Sequence, residues 1–153
     1  AYSWTVGLPG LTGVPENDAC ADAVVLVSGV DAAGRTVGGA DDFTAGTCNF
    51  QGEGDVARDV FFRFTLDAPT DVQLALEGLA NYGGSLALFT LPDGGACPDD
   101  LATLEPVTTV TDFFGQPLEE DFCAFAGDTV RLPQLAAGDY LGVVDDSFVR
   151  CWK

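Results

Sequence analysis

Carboxylates are the only potentially reactive side chains this sequence holds in quantity. Its 153 residues include 24 Asp and Glu against 6 Lys and Arg, and no His. Without imidazole there is no Ser-His-Asp or Cys-His unit and no His-bearing zinc site. The only lysine is Lys153, badly placed for a Ser-Lys mechanism. The acids cluster as Asp41-Asp42, Asp99-Asp100, Glu119-Glu120-Asp121 and Asp145-Asp146. Loops rich in Asp and carbonyl oxygens can supply the roughly six to eight ligands that calcium takes. Glu16, Asp18, Asp41, Asp42, Asp145 and Asp146 are therefore the candidate calcium ligands, without EF-hand spacing. A solvated acidic face accounts for the same pairs. Glycosidase chemistry would need two carboxyls at a set separation in a cleft, with pKa values pushed apart. Adjacency in sequence supplies neither, so no catalytic residue is assigned and the chain is read as non-enzymatic. Phe113-Phe114 with Tyr82 offer either a binding platform or ordinary core.

Cysteines stand at 20, 48, 97, 123 and 151, with no CxxC pair. That spacing suits disulfides in an oxidising compartment better than zinc or iron–sulfur. Buried thiols in a cytosolic protein are the plainer alternative. Cys20, Cys48, Cys97 and Cys123 are the candidate disulfide residues. Sequence order pairs neighbours, Cys20–Cys48 and Cys97–Cys123, each closing a loop worth ~3–4 kcal/mol. Cys151 is then left unpaired or bonded to another chain.

The formal charge of −18 repels phosphate backbones and anionic lipid, which argues against nucleic acid as a partner. A hydrophobic content of 47% with eleven Phe argues against disorder. No apolar run approaches the ~20 residues that span a bilayer, so membrane insertion is not expected. The chain begins with Ala1, and the expected reading is a secreted protein following a removed signal peptide.

These features need a scaffold, and strand signals dominate. Asp59–Leu66, Asp71–Glu77, Ser85–Thr90, Thr129–Leu132 and Asp139–Val144 are short, apolar and bounded by Gly, Pro and Asp. Val72, Leu74 and Leu76 alternate with Gln73, Ala75 and Glu77, placing the apolar set on one face. Val60, Phe62 and Phe64 share a face, with Phe61, Arg63 and Thr65 opposite. Asp18–Val25 is the one helical candidate, with Asp18 able to cap it. The expected class is all-β, an antiparallel sandwich with one short N-terminal helical turn.

Five segments in order resemble the bacterial pre-peptidase C-terminal (PPC) domain. They are Asn17–Leu26 (NDACADAVVL), Gly34–Cys48, Asp59–Leu76 (DVFFRFTLDAPTDVQLAL), Ser85–Cys97 and Leu135–Asp146 (LAAGDYLGVVDD). The resemblance implies a secreted, jelly-roll-like, non-catalytic sandwich over residues 17–146. Some relatives bind polymers such as collagen, some with calcium near the domain entrance, where Glu16 and Asp18 loosely match. No peptidase precedes the domain, so a free-standing version is expected.

Residues 1–16 form an extension and linker, and residues 147–153 a tail ending in Cys151-Trp152-Lys153. The extension alternates Tyr2, Trp4 and Val6 with Ser3, Thr5 and Gly7, a strand pattern. Such a strand either packs on its own sandwich as an edge strand or adds to the sheet edge of a second copy, the partner then being the protein itself. Head-to-tail repetition of the second arrangement builds a filament or surface lattice. The expected function is thus an extracellular structural or adhesive subunit that self-assembles. The alternative is a module that binds an extracellular polymer or cell surface, with or without calcium. Screening by salt lets acidic copies pack, so assembly is expected to weaken at low ionic strength or in chelator.

Overall fold

A computed structural model describes residues 2–6, 13–36, 38–43, 58–78, 85–92, 94–107, 110–111, 117–118, 123–125, 127 and 129–145. The chain is an all-β sandwich of two sheets. The first contains β1 (Tyr2–Val6), β3 (Ala32–Gly34), β5 (Thr70–Gly78), β8 (Val110–Thr111), β9 (Pro117–Leu118) and β11 (Thr129–Leu135). Its strand order is β3-β1-β5-β11-β8-β9. The second contains β2 (Val24–Val25), β4 (Asp59–Leu66), β6 (Ser85–Thr90), β7 (Glu105–Pro106), β10 (Cys123–Phe125) and β12 (Gly138–Asp145). It runs β10-β6-β12-β4-β2, with β7 also paired to β6.

The period-2 patterns explain the layering. Val60, Phe62, Phe64 and Leu66 of β4 meet Val72, Leu74 and Leu76 of β5 in the core between the sheets. Phe64 stacks on Tyr140, ring centroids 5.1 Å apart. Gly34 of β3 lies so close to Phe62 that an added Cβ would stand 2.9 Å from the tip of the ring, so a side chain there would have to displace this buried aromatic. Phe61, Ala87, Phe89, Leu141 and Val143 face outward from the second sheet and form a separate buried cluster with Phe43, Cys20, Ala23, Leu91 and Leu104. Loops therefore cover this outer face, as the apolar Phe61 opposite Phe62 requires.

Strands β4 and β6 match the sequence expectation in both bounds, and β5, β11 and β12 run slightly longer. In β11 the ladder slips between Leu132 and Leu135. Pro133 has no N–H to give, and Gln134 takes a positive φ of 51°. Asp71 stabilises this bulge: its Oδ1 accepts from the Gln134 N–H at 2.8 Å and from its Nε2 at 2.9 Å. The helix expected over Asp18–Val25 contracts to a single 3-10 turn, Cys20–Asp22, followed by β2. Val24 and Val25 are β-branched and pair in parallel with Phe62 and Arg63, and that ladder outcompetes helix continuation. Asp18 does not cap the turn: its Oδ1 accepts from the Ala40 N–H at 2.7 Å, while Ala19 occupies the cap position.

The first strand lies within its own chain. β1 is parallel to both neighbours, with Trp4 opposite Ala32 on one side and Leu76 on the other. Its register sets Tyr2 and Trp4 against Leu74 and Leu76, two core-facing positions of β5. It is an interior strand, where an edge position was the expectation for a terminus packed on its own sandwich.

The expected neighbour pairing of cysteines is overturned at Cys20, which bonds Cys97, 77 residues away in sequence. Both lie over the outer face of the second sheet, Cys20 in the 3-10 turn and Cys97 in the loop after β6. Spatial layering, and not order along the chain, decides the partner. Cys48 and Cys151 lie outside the described residues, as does the side chain of Cys123.

Candidate functional site

Three polar residues line up where the outer-face cluster ends. Asp59 opens β4, Asp145 closes β12 and Ser85 opens β6. Asp145 is the register partner of both others, so the three side chains form one row across adjacent strands. All are buried: Asp59 is 0% exposed, Ser85 2% and Asp145 6%. The next row, Phe61, Val143 and Ala87, begins the apolar cluster.

The segment from Thr36 to Phe43 seals this row. Gly39 donates to the Thr36 carbonyl and the Asp59 N–H donates to that of Ala40. Gly39 passes so near Asp18 and the Asp59 carbonyl that a Cβ would sit 2.8 Å from Asp18 Oδ1. Asp59 Oδ2 then accepts from the Asp42 N–H at 3.0 Å and the Phe43 N–H at 2.7 Å. On the other flank, buried Asn17 donates from Nδ2 to the Phe61 carbonyl at 3.0 Å and accepts from the Phe61 N–H with its own carbonyl at 2.9 Å.

Two atoms in the row have no hydrogen-bond partner, Asp59 Oδ1 and Ser85 Oγ. Burial is the main force on Asp59 and raises its pKa to about 8, with the Phe43 N–H pulling it down and the Asp145 and Asp41 charges pushing it further up. At neutral pH the group is largely a neutral carboxylic acid. Its two backbone bonds hold Oδ2 as acceptor, which leaves the proton on Oδ1.

Of the candidate calcium ligands, Asp41, Asp42 and Asp145 gather around Asp59. Glu16 is exposed, and Asp18 is engaged by the Ala40 N–H. Asp146 lies outside the described residues. Among the described residues, no three acidic or cysteine side chains stand together as a metal cage. Asp59 and Ser85 were missed in the sequence. Their signal was phase: Asp59 falls in step with Phe61, and Ser85 with Ala87 and Phe89, on the same strand faces.

A cleft of about 550 Å³ adjoins this row. Its floor is Phe43, Phe61 and the Cys20–Cys97 pair, and Asp42, Asp99 and Asp100 stand at its rim. Of the sequence's aromatic platform, Tyr82, Phe113 and Phe114 lie outside the described residues. No helix among the described residues is long and apolar enough to cross a membrane.

The chain matches no protein-family model, no curated protein and no solved structure. The likeness to the PPC domain rests on its sequence segments alone.

Proposed function

We propose that the protein is a non-catalytic extracellular structural or adhesive subunit that assembles by exchanging its first strand between copies. The observation that carries this reading is the slot β1 fills. Removing β1 would leave the ladder of β5 unpaired from Leu74 to Gly78 and would part β3 from the sheet. An unpaired interior edge is a ready acceptor for an extended segment. Every copy carries the same slot and the same strand, so a strand from a neighbour recovers the same backbone hydrogen bonds. The sequence between β1 and the sandwich, Gly7-Leu8-Pro9-Gly10-Leu11-Thr12-Gly13, has the composition of a hinge. Where each copy donates its strand to one neighbour and accepts one from another, the contact is head-to-tail and propagates, whereas reciprocal exchange between two copies would close a dimer. The Cys20–Cys97 disulfide supports an oxidising, extracellular setting.

Two variants test this. Deleting residues 1–10 should abolish large species in light scattering and electron microscopy while circular dichroism still reports a sandwich. Ser3 and Ala75 are register partners, so Ser3→Cys/Ala75→Cys can lock β1 onto its own sheet. The locked protein should stay monomeric when oxidised and assemble after that bond is selectively reduced. Assembly by the truncated or the locked protein would sink the reading, as would a full chain that remains monomeric at high concentration and salt.

A further inference from the structure

We infer that the cleft beside the Cys20–Cys97 disulfide is a docking site for a lysine or arginine side chain of a protein partner. This does not depend on strand exchange. The outer-face cluster is incompletely lidded there. Phe43 and Phe61 are buried beneath it, but Cys97 and Leu101 remain half-buried and line the opening. Ala19, Ala21, Pro98 and Ala102 complete a wall of small and apolar groups. Asp42, Asp99 and Asp100 are exposed at the rim. Asp100 is held in place, its Oδ1 accepting from the Ala102 N–H at 3.0 Å, which fixes the carboxylate at the mouth.

An apolar floor beneath a carboxylate rim matches one kind of group, a long aliphatic stem that ends in a cation. A bare divalent ion would make no use of the floor, and a purely apolar ligand would strand the rim charges against it. Among the described residues, no basic side chain lines the cleft. In a chain of charge −18 the local field further favours a cationic visitor. The opening exceeds what one side chain fills, so a short stretch of peptide around the basic residue enters with it.

The test uses the full-length protein and rhodamine-labelled acetyl-Leu-Lys-Leu-amide, followed by fluorescence anisotropy at 150 mM NaCl to screen general attraction. Binding is expected at about millimolar affinity, since exposed ion pairs each add little. The peptide with norleucine in place of lysine should bind up to about fivefold more weakly, the loss of one ion pair at the strong end of that range. Asp99→Asn/Asp100→Asn should weaken the lysine peptide by a similar factor. Asparagine keeps the Ala102 cap, so folding is spared. Asp31→Asn/Asp67→Asn, the same charge change at exposed positions outside the cleft, should leave binding unchanged. Equal weakening by both double variants would reduce the effect to net charge and overturn the site. Equal affinity for the norleucine peptide would overturn it as well.

Discussion

The two sheets are built to different standards of closure. The second is covered on both faces: Phe62 points into the sandwich and Phe61 into the outer cluster, each 0% exposed. The first is one-sided along its best-described strands. Leu74 and Leu132 are buried, while Gln73 is half-buried and Arg131 exposed. The second sheet is dominated by long antiparallel pairs, β4 with β12 and β12 with β6. The first includes a five-residue strand inserted in parallel. A sheet with both faces buried cannot give up a strand without exposing two cores, whereas a one-sided sheet can. The strand exchange proposed above therefore falls to the first sheet, and the buried polar row lies in the second.

Deleting core bulk measures this contrast most directly. Phe61→Ala and Phe62→Ala should each cost about 3–5 kcal/mol in urea denaturation, although they lie on opposite faces. A small loss at Phe61 alone would show that the outer cluster is only loosely covered. Removing the clamp over that face comes next: Cys20→Ser/Cys97→Ser should cost about 4 kcal/mol for a loop of this length. The buried carboxyl gives a signature in pH. A folded pKa raised from 3.8 to about 8 means the native state holds a proton that the unfolded chain releases. This contribution is complete below about pH 4 and is lost as pH rises to about 8. Stability should therefore fall by a few kcal/mol, on the order of 1.4 per unit at most, across that interval. Asp59→Asn should flatten this profile, and an unchanged slope would place the titration elsewhere. Asp71 acts in the opposite sense. Its bonds from Gln134 lower its pKa, so its contribution is present above the ordinary carboxylate range and fades as pH falls below it. The smallest effect belongs to the open face, where Gln73→Ala should stay within about 0.5 kcal/mol.

Much of this sandwich was legible because period-2 alternation is written directly in residues such as Val60, Phe62 and Phe64. Strands β4 and β6 could be bounded to the residue. What the pattern hid was everything decided by the third dimension. The Cys20–Cys97 bond joins two loops that meet only once the outer face is covered. The short helix yielded to a parallel ladder with β4 that no local propensity announces. At the acidic row, adjacency drew attention to Asp41-Asp42 and Asp145-Asp146. The decisive group was the solitary Asp59, whose environment depends on strand register. The interior position of β1 was equally invisible, since a sequence does not say which strands part to admit another.

The disulfide has a mechanical consequence. Cys20 and Cys97 stand 77 positions apart in a chain of 153, and the segment between them is closed into a covalent loop that cannot lengthen under tension. Pulled from its two ends, the chain can pay out only about half of its contour, roughly 3.3–3.6 Å for each residue outside the loop. Strands β2 through β6 lie inside that loop. A fibre made of such links would stretch by shedding its flanking strands and then stiffen. Reduction would double its reach.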